Sequence, residues 1–175
     1  MSDGPKVVSA GRLDALRCLA LRRDVLAEER WFITRADELT TTVDEEERRI
    51  LAARDDPRSL YLVARLPGSR VAGLLTATAG PLRRMHHAAK LEVMVAREHR
   101  GAGVGRALLK ACCRWADEHD TVEKLGLTVF ADNERARALY AQFGFREEGR
   151  RPREYRMADG TYRDDVLLHR FCPPD

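Results

Sequence analysis

The stretch REHRGAGVGRALLKACCRW, Arg97 to Trp115, places Gly101, Gly103 and Gly105 within five residues at the mouth of a helical pattern. A bare backbone at a helix N-terminus suits an anion. Unpaired N–H groups and the positive end of the helix dipole face whatever sits there, and glycine removes the Cβ that would hold a phosphate away. The spacing narrows the anion. A triphosphate-binding loop needs Lys followed by Ser or Thr after its last glycine, whereas Gly105 is followed by Arg106 and Ala107. A dinucleotide fingerprint is spaced GxGxxG near the chain start, with an acid about 20 residues on. Here the spacing is GxGxG, and Asp132 comes late. Another pyrophosphate, or a plain turn with no ligand, stays open on the glycines alone.

The elements around the loop must position it. A helix is predicted from about Arg12 to Trp31, carrying Leu13, Leu16, Leu19, Ala20, Val25 and Ala27 among charges. TTVDEEERRILAARDDP reads as a second helix, capped by Thr42, with Asp44 to Glu47 at its positive end and Pro57 closing it. Ser59 to Leu66 and Arg70 to Gly80 are strand-like, with a hairpin turn at Pro67 and Gly68. In the strand Lys90 to Ala96, alternation puts Leu91, Val93 and Val95 on one face and Glu92 and Met94 on the other. After the glycine loop a helix runs to about His119, with Val104, Leu108, Ala111, Cys112 and Trp115 as its apolar stripe. Lys124 to Phe130 is a strand, and DNERARALYAQFGF is a short helix stopped by Gly144. Phe145 to Gly149 and Thr161 to Phe171 read as two strands joined across a turn at Asp159 and Gly160. The order predicts a mixed α/β sheet in one domain over 1–175.

Composition excludes several functions. The 175 residues are 44% hydrophobic and 34% charged, an ordinary globular balance. A net charge of +3 gives no support to a nucleic-acid binder. Cys18, Cys112, Cys113 and Cys172 form no CxxC pair, so no metal site is expected, and the adjacent Cys112 and Cys113 read as packing residues. No apolar signal core and no membrane-length apolar run is present, so no membrane partner is expected and the protein reads as cytoplasmic.

Arg100-x-x-Gly103-x-Gly105 follows a strand ending Val93-x-Val95, and Asn133-x-x-Ala136-x-x-Leu139-Tyr140-x-x-x-Gly144-Phe145 follows the next strand. With these motifs the chain resembles the GNAT superfamily of acetyl-CoA-dependent N-acetyltransferases, over about 59–171. Within it the chain looks most like bacterial ribosomal-protein-acetyltransferase-like members. The resemblance implies a mixed, largely antiparallel sheet flanked by helices and splayed at the strand before the glycine loop. It also implies acetyl-CoA as cosubstrate. The pyrophosphate would lie on Arg100, Gly101, Ala102, Gly103, Val104, Gly105 and Arg106, and the pantetheine arm would pair with the backbone of Val93, Met94 and Val95. Asn133 would either cap its helix or bond the coenzyme arm. The acceptor would be a small amine or a peptide N-terminus, attacked in a direct ternary complex, and a homodimer is compatible with the family.

The resemblance implies Tyr140 as the acid that protonates the departing thiolate; its alternative is a core aromatic packed on Leu139 and Phe143. The base is less visible. Where many relatives carry a glutamate this chain has Thr128, so Glu92 is the nearest substitute, with His86 and His87 behind it. The missing glutamate also leaves a non-catalytic acyl-CoA sensor as a competing reading. A lysine-like amine of pKa about 10.4 costs roughly 4–5 kcal/mol to deprotonate at pH 7, and an α-amino group only about 1 kcal/mol. A site with a poor base therefore favours an acceptor of modest basicity. The acidic run Asp44 to Glu47 is either a lure for a cationic substrate or simply the first turn of its helix.

Overall fold

The computed structural model describes residues 4–66 and 70–173. Seven strands form one sheet: β1 (Lys6–Ser9), β2 (Ser59–Leu66), β3 (Arg70–Ala79), β4 (Ala88–Val95), β5 (Lys124–Phe130), β6 (Arg146–Arg156) and β7 (Tyr162–Phe171). Their order is β1-β2-β3-β4-β5-β7-β6. Every neighbouring pair is antiparallel except β4 and β5, which are parallel. Four α-helices cover the sheet: α1 (Ala15–Leu26), α2 (Val43–Asp55), α3 (Val104–Asp117) and α4 (Glu134–Gln142). The expected hairpin turn at Pro67 and Gly68 lies outside the described residues.

The sheet has a core on each face. On one side Val104, Leu108, Leu109, Cys112, Cys113 and Ala116 of α3 meet Leu62, Leu75, Leu91, Leu125 and Leu127. On the other side α1 and α2 supply Cys18, Leu21, Val25 and Ile50 against Tyr61, Val63, Leu74 and Met94. The alternation read in β4 therefore holds, with Leu91, Val93 and Val95 facing α3 and Met94 facing α1. Gly73 permits the close approach of α3. A Cβ there would lie 2.8 Å from Val104 Cγ1 and 2.9 Å from the Met94 carbonyl oxygen.

The structure corrects the sequence reading in three places. The first helix ends at Leu26 rather than near Trp31, and Glu29 then takes a left-handed φ of 47° that turns the chain. Its buried face is also different: Leu13 and Leu16 are exposed, while Arg22 sits buried between Cys18 and Val25. Apolar counting misses a face that carries an arginine. The strand β1 was not expected, because four residues are too few to show a period. The last hairpin turns at Asp159–Gly160 as the sequence predicts, but β6 runs to Arg156 rather than stopping at Gly149. As an edge strand of exposed charges broken by Pro152 and two register shifts, it shows no alternation to read.

α2 follows its sequence closely. Thr42 caps it by accepting from the Glu45 N–H at 3.2 Å, and Glu45 returns a bond to the Thr42 N–H at 2.7 Å. The acidic run is the helix's first turn, with one exception. Glu46 is fully buried; it accepts from Arg22 Nε at 2.9 Å and from the Tyr61 hydroxyl. None of Asp44 to Glu47 lines the cavity described next.

Candidate active site

β4 and β5 pair only over Ala88–Lys90 and Lys124–Gly126. Beyond that point β4 stays with β3 as far as Val95, and β5 stays with β7 as far as Phe130. The sheet therefore splits, as the family resemblance implies. The β4 edge from Leu91 onward has no strand partner among the described residues, and such backbone groups need a partner from elsewhere. A cavity of about 670 Å³ occupies the split. Its walls come from β4, the glycine loop, the first turn of α3, β5, α4 and the segment Trp31–Ile33.

The loop has the bare backbone that an anion needs. Gly101 and Gly103 hold φ of 89° and 82°, and a Cβ on Gly103 would meet nothing within 4 Å, so the backbone faces open space. Gly103 is the N-cap of α3, whose first-turn N–H groups have no intrahelical acceptor. Arg100 and Arg106, expected to add charge, both line the cavity, and both are already paired within the protein. Arg100 donates to both Glu28 oxygens at 2.7 and 2.6 Å and to the Val95 carbonyl at 3.1 Å, tying the loop to the end of α1 and to β4. Arg106 donates to Gln142 and lies against the Phe143 ring. Arg135 went unnoticed in the sequence. Its Nη2 lies 3.2 Å from where a Gly101 Cβ would be, so it is the guanidinium over the glycines. Its position two residues after the helix cap Asn133 was the available signal.

Val93, Val95, Gly101, Gly103, Val104, Gly105, Arg106 and Asn133 all line the cavity. Ala102 does not, and the Met94 side chain is buried on the opposite face toward α1. Of the two roles considered for Asn133, capping is present: its side chain accepts from the Ala136 N–H at 3.2 Å. His86 and His87 lie before the start of β4, at the end away from the loop, and neither lines the cavity.

Tyr140 projects from α4 into the cavity and packs edge-on against Phe145 at 5.7 Å. Burial, and then the nearby charge of Glu92, push its phenol up to about 12. Glu92 lines the cavity from β4 with its side chain 42% exposed, and its Oε1 accepts from Arg22 Nη1 at 2.5 Å. Arg22 thus bridges Glu92 to the buried Glu46, a chain from core to cavity that sequence distance conceals. Thr128 lines the cavity without a carboxylate, but on the neighbouring strand Asp165 lines it too and is almost completely buried. A carboxylate in an exposed-looking run, YRDDVLLHRF, offers no sequence signal that it will be buried.

The site joins a glycine loop at a helix N-terminus, a free strand edge and a chamber lined by Tyr140, Glu92 and Asp165. Such an arrangement suits a group-transfer enzyme that takes a long, anionic donor. The model of the acetyltransferase (GNAT) family matches residues 23–145, and the chain belongs to that family. It is 32% identical over 116 residues to the L-amino acid N-acetyltransferase AaaT of Escherichia coli, covering 66% of this chain and 70% of that protein. A GNAT-family acetyltransferase structure from Streptococcus pneumoniae superposes with a TM-score of 0.91 at 25% identity, over 95% of this chain and 99% of that one. The ribosomal-protein-alanine N-acetyltransferase of Brucella melitensis shares the fold, with a TM-score of 0.83 at 24% identity over 95% and 99% of the two chains. Among the described residues no helix is long and apolar enough to cross a membrane.

Proposed function

We propose that this chain transfers the acetyl group of acetyl-CoA to a primary amine, a small amine or a peptide N-terminus, within a single ternary complex. The split between β4 and β5 above the glycine loop carries the reading. It offers a peptide-like arm an unpaired strand edge and a pyrophosphate a helix N-terminus with Arg135 beside it. Acetyl-CoA supplies the thioester. The backbone of Val93 to Val95 holds the arm, with the Val95 carbonyl already engaged by Arg100, and residues 101–106 hold the phosphates.

Tyr140 gives its proton to the departing sulfur, and Glu92 receives one from the reacting nitrogen through a water. The two roles are coupled. A phenol near 12 is a weak acid for a thiolate near 8.5. Part of that weakness is the charge of Glu92, which opposes a phenolate. Once Glu92 has accepted a proton its charge is gone, and Tyr140 ionises more readily at the moment the sulfur needs a proton. The four cysteines, all free and buried, suit a reducing compartment, and the reading is of a cytoplasmic enzyme.

The test is thiol release from acetyl-CoA against a panel of amines, aminoglycosides, polyamines and peptide N-termini, with acetyl-CoA binding measured separately by calorimetry. Amine-dependent thiol release supports the transferase. Tight acetyl-CoA binding with no release on any amine supports a sensor instead.

A further inference from the structure

The cavity runs through the split from one face of the sheet to the other. The glycine loop, α3 and α4 wall it on the face that α3 packs. Trp31, Phe32 and Ile33 wall it from the α1 side, where Phe32 packs on the core of α1 and α2. Leu127 and Val129 of β5 and Val166 of β7 face α3, so alternation turns Phe130 and Arg163 toward the α1 side. A coenzyme held at the glycine loop leaves this second face to the acceptor.

The wall has little backbone structure to hold it. Residues 27–35 form neither α-helix nor strand, and among the described residues no backbone–backbone hydrogen bond joins residues 30–34. Among them the one hydrogen bond to the backbone of 30–34 comes from a side chain 133 residues away: Arg163 Nη1 of β7 donates to the Arg30 carbonyl at 2.5 Å. The Arg163 guanidinium also lies 5.6 Å from the centre of the Trp31 ring and 5.1 Å from that of Phe130, and its Nε stands 3.5 Å from Asp132 Oδ2. Arg30 lies over the same Trp31 ring at 4.7 Å. A planar guanidinium can lie against rings and still donate from its edge, so one side chain ties the wall to the end of β5.

Resting on the transferase reading, we propose that Arg163 is a positioning residue that holds Trp31 as the wall of the acceptor chamber, and that this wall selects acceptors with an apolar group beside the reacting amine. Trp31, Phe32, Ile33 and Phe130 offer such a group apolar area to bury. That area converts to affinity only if the wall is already in place when the acceptor arrives, because ordering it at that moment costs part of the gain. Without Arg163 the backbone of 30–34 keeps no hydrogen bond among the described residues, and Trp31 keeps only the guanidinium of its chain neighbour Arg30. The contacts of Arg163 go to Arg30, Trp31, Phe130 and Asp132, none of them in the glycine loop, so its loss reaches the acceptor and spares acetyl-CoA.

The test measures kcat and KM for the parent and Arg163→Met on leucine amide, glycine amide and free leucine, together with the acetyl-CoA Kd. Acrylamide quenching of Trp31 is read in a Trp115→Phe background, which leaves Trp31 as the protein's single tryptophan. The parent should prefer leucine amide to glycine amide by at least about tenfold in kcat/KM. In Arg163→Met that preference should fall to about threefold or less, through a higher KM for leucine amide with kcat little changed, while the acetyl-CoA Kd stays put. The quenching constant of Trp31 should rise at least about twofold as the segment loosens. A parent without preference overturns the acceptor class. Equal losses on both amides, or unchanged quenching, overturn the role of Arg163. A loss confined to free leucine would make Arg163 a receptor for the acceptor's carboxylate and also overturn it. If Arg163→Met does not fold, Arg163→Lys decides: its ammonium keeps the charge beside Asp132 but cannot lie against two rings and reach the Arg30 carbonyl at once. It should show the same fall in preference and rise in quenching, and parent-like values overturn the proposal. Failure of the transferase reading looks different, because the parent itself then acetylates no amine, while the quenching still tests the clamp.

Discussion

Glu46 puts a carboxylate at 0% exposure beside an apolar cluster. Its support comes from Arg22 Nε at 2.9 Å, the Tyr61 hydroxyl and Arg49 at 3.3 Å. Replacing it by alanine leaves Arg22, itself 8% exposed, with Glu92 as its remaining close carboxylate and leaves the Tyr61 hydroxyl without its acceptor. Removing one partner of a buried pair costs about 3–5 kcal/mol. In a domain of this size each kcal/mol lowers Tm by about 2–4 °C, so Glu46→Ala should melt roughly 6–20 °C below the parent. Thermal unfolding followed by circular dichroism at pH 7 measures this. The double variant Arg22→Met/Glu46→Leu removes both charges and fills the space, and should recover most of the loss. A drop for Glu46→Ala below about 3 °C, or a double variant no more stable than the single, would refute the view that the pair is buried and mutually dependent. The double variant has a second use: it frees Glu92 from Arg22 without touching the cavity wall, so a changed pH profile in a stable protein reports what Arg22 does for Glu92.

Gly103→Asp should abolish acetyl-CoA binding in calorimetry while costing only about 1 kcal/mol of stability, since the left-handed φ of 82° is the strain and the space beside it is open. Binding equal to the parent's in the folded variant would move the phosphates elsewhere. Tyr140→Phe should lower kcat by about 10²–10⁴-fold with the acetyl-CoA Kd unchanged. Because its phenol lies near 12, above the ordinary value, Tyr140 stays protonated through neutral pH, and a basic limb in the parent below about pH 11 must belong to another group. Thr42→Ala removes a reciprocal cap and should lower Tm by about 2–4 °C, from a loss of about 1 kcal/mol; an unchanged Tm would mean the cap is dispensable.

Local chemistry was legible in the residues themselves. The Thr42 cap, the strand Lys124–Phe130, the face change between Val93 and Met94, and the glycines that bare the backbone before α3 all follow from neighbours within a turn or a strand. The split at β4 was implied only by the family resemblance that the motifs carry, not by the residues of the strand itself. What depends on partners far along the chain was decided only by folding. Arg22 meets Glu46 and Glu92 across 24 and 70 residues, and Arg100 meets Glu28 across 72. Arg22 and Glu28 look like solvated charges in the sequence, because composition and period assign charged groups to water, whereas Arg100 and Glu92 are read there toward the coenzyme and the reacting amine. The same rule hid Asp165, one of two adjacent aspartates, which reaches a buried wall because Phe130, Tyr155 and Arg151 fold over it. A strand's period says which side chains share a face, but whether that face meets water or a cavity is set by the elements packed against it.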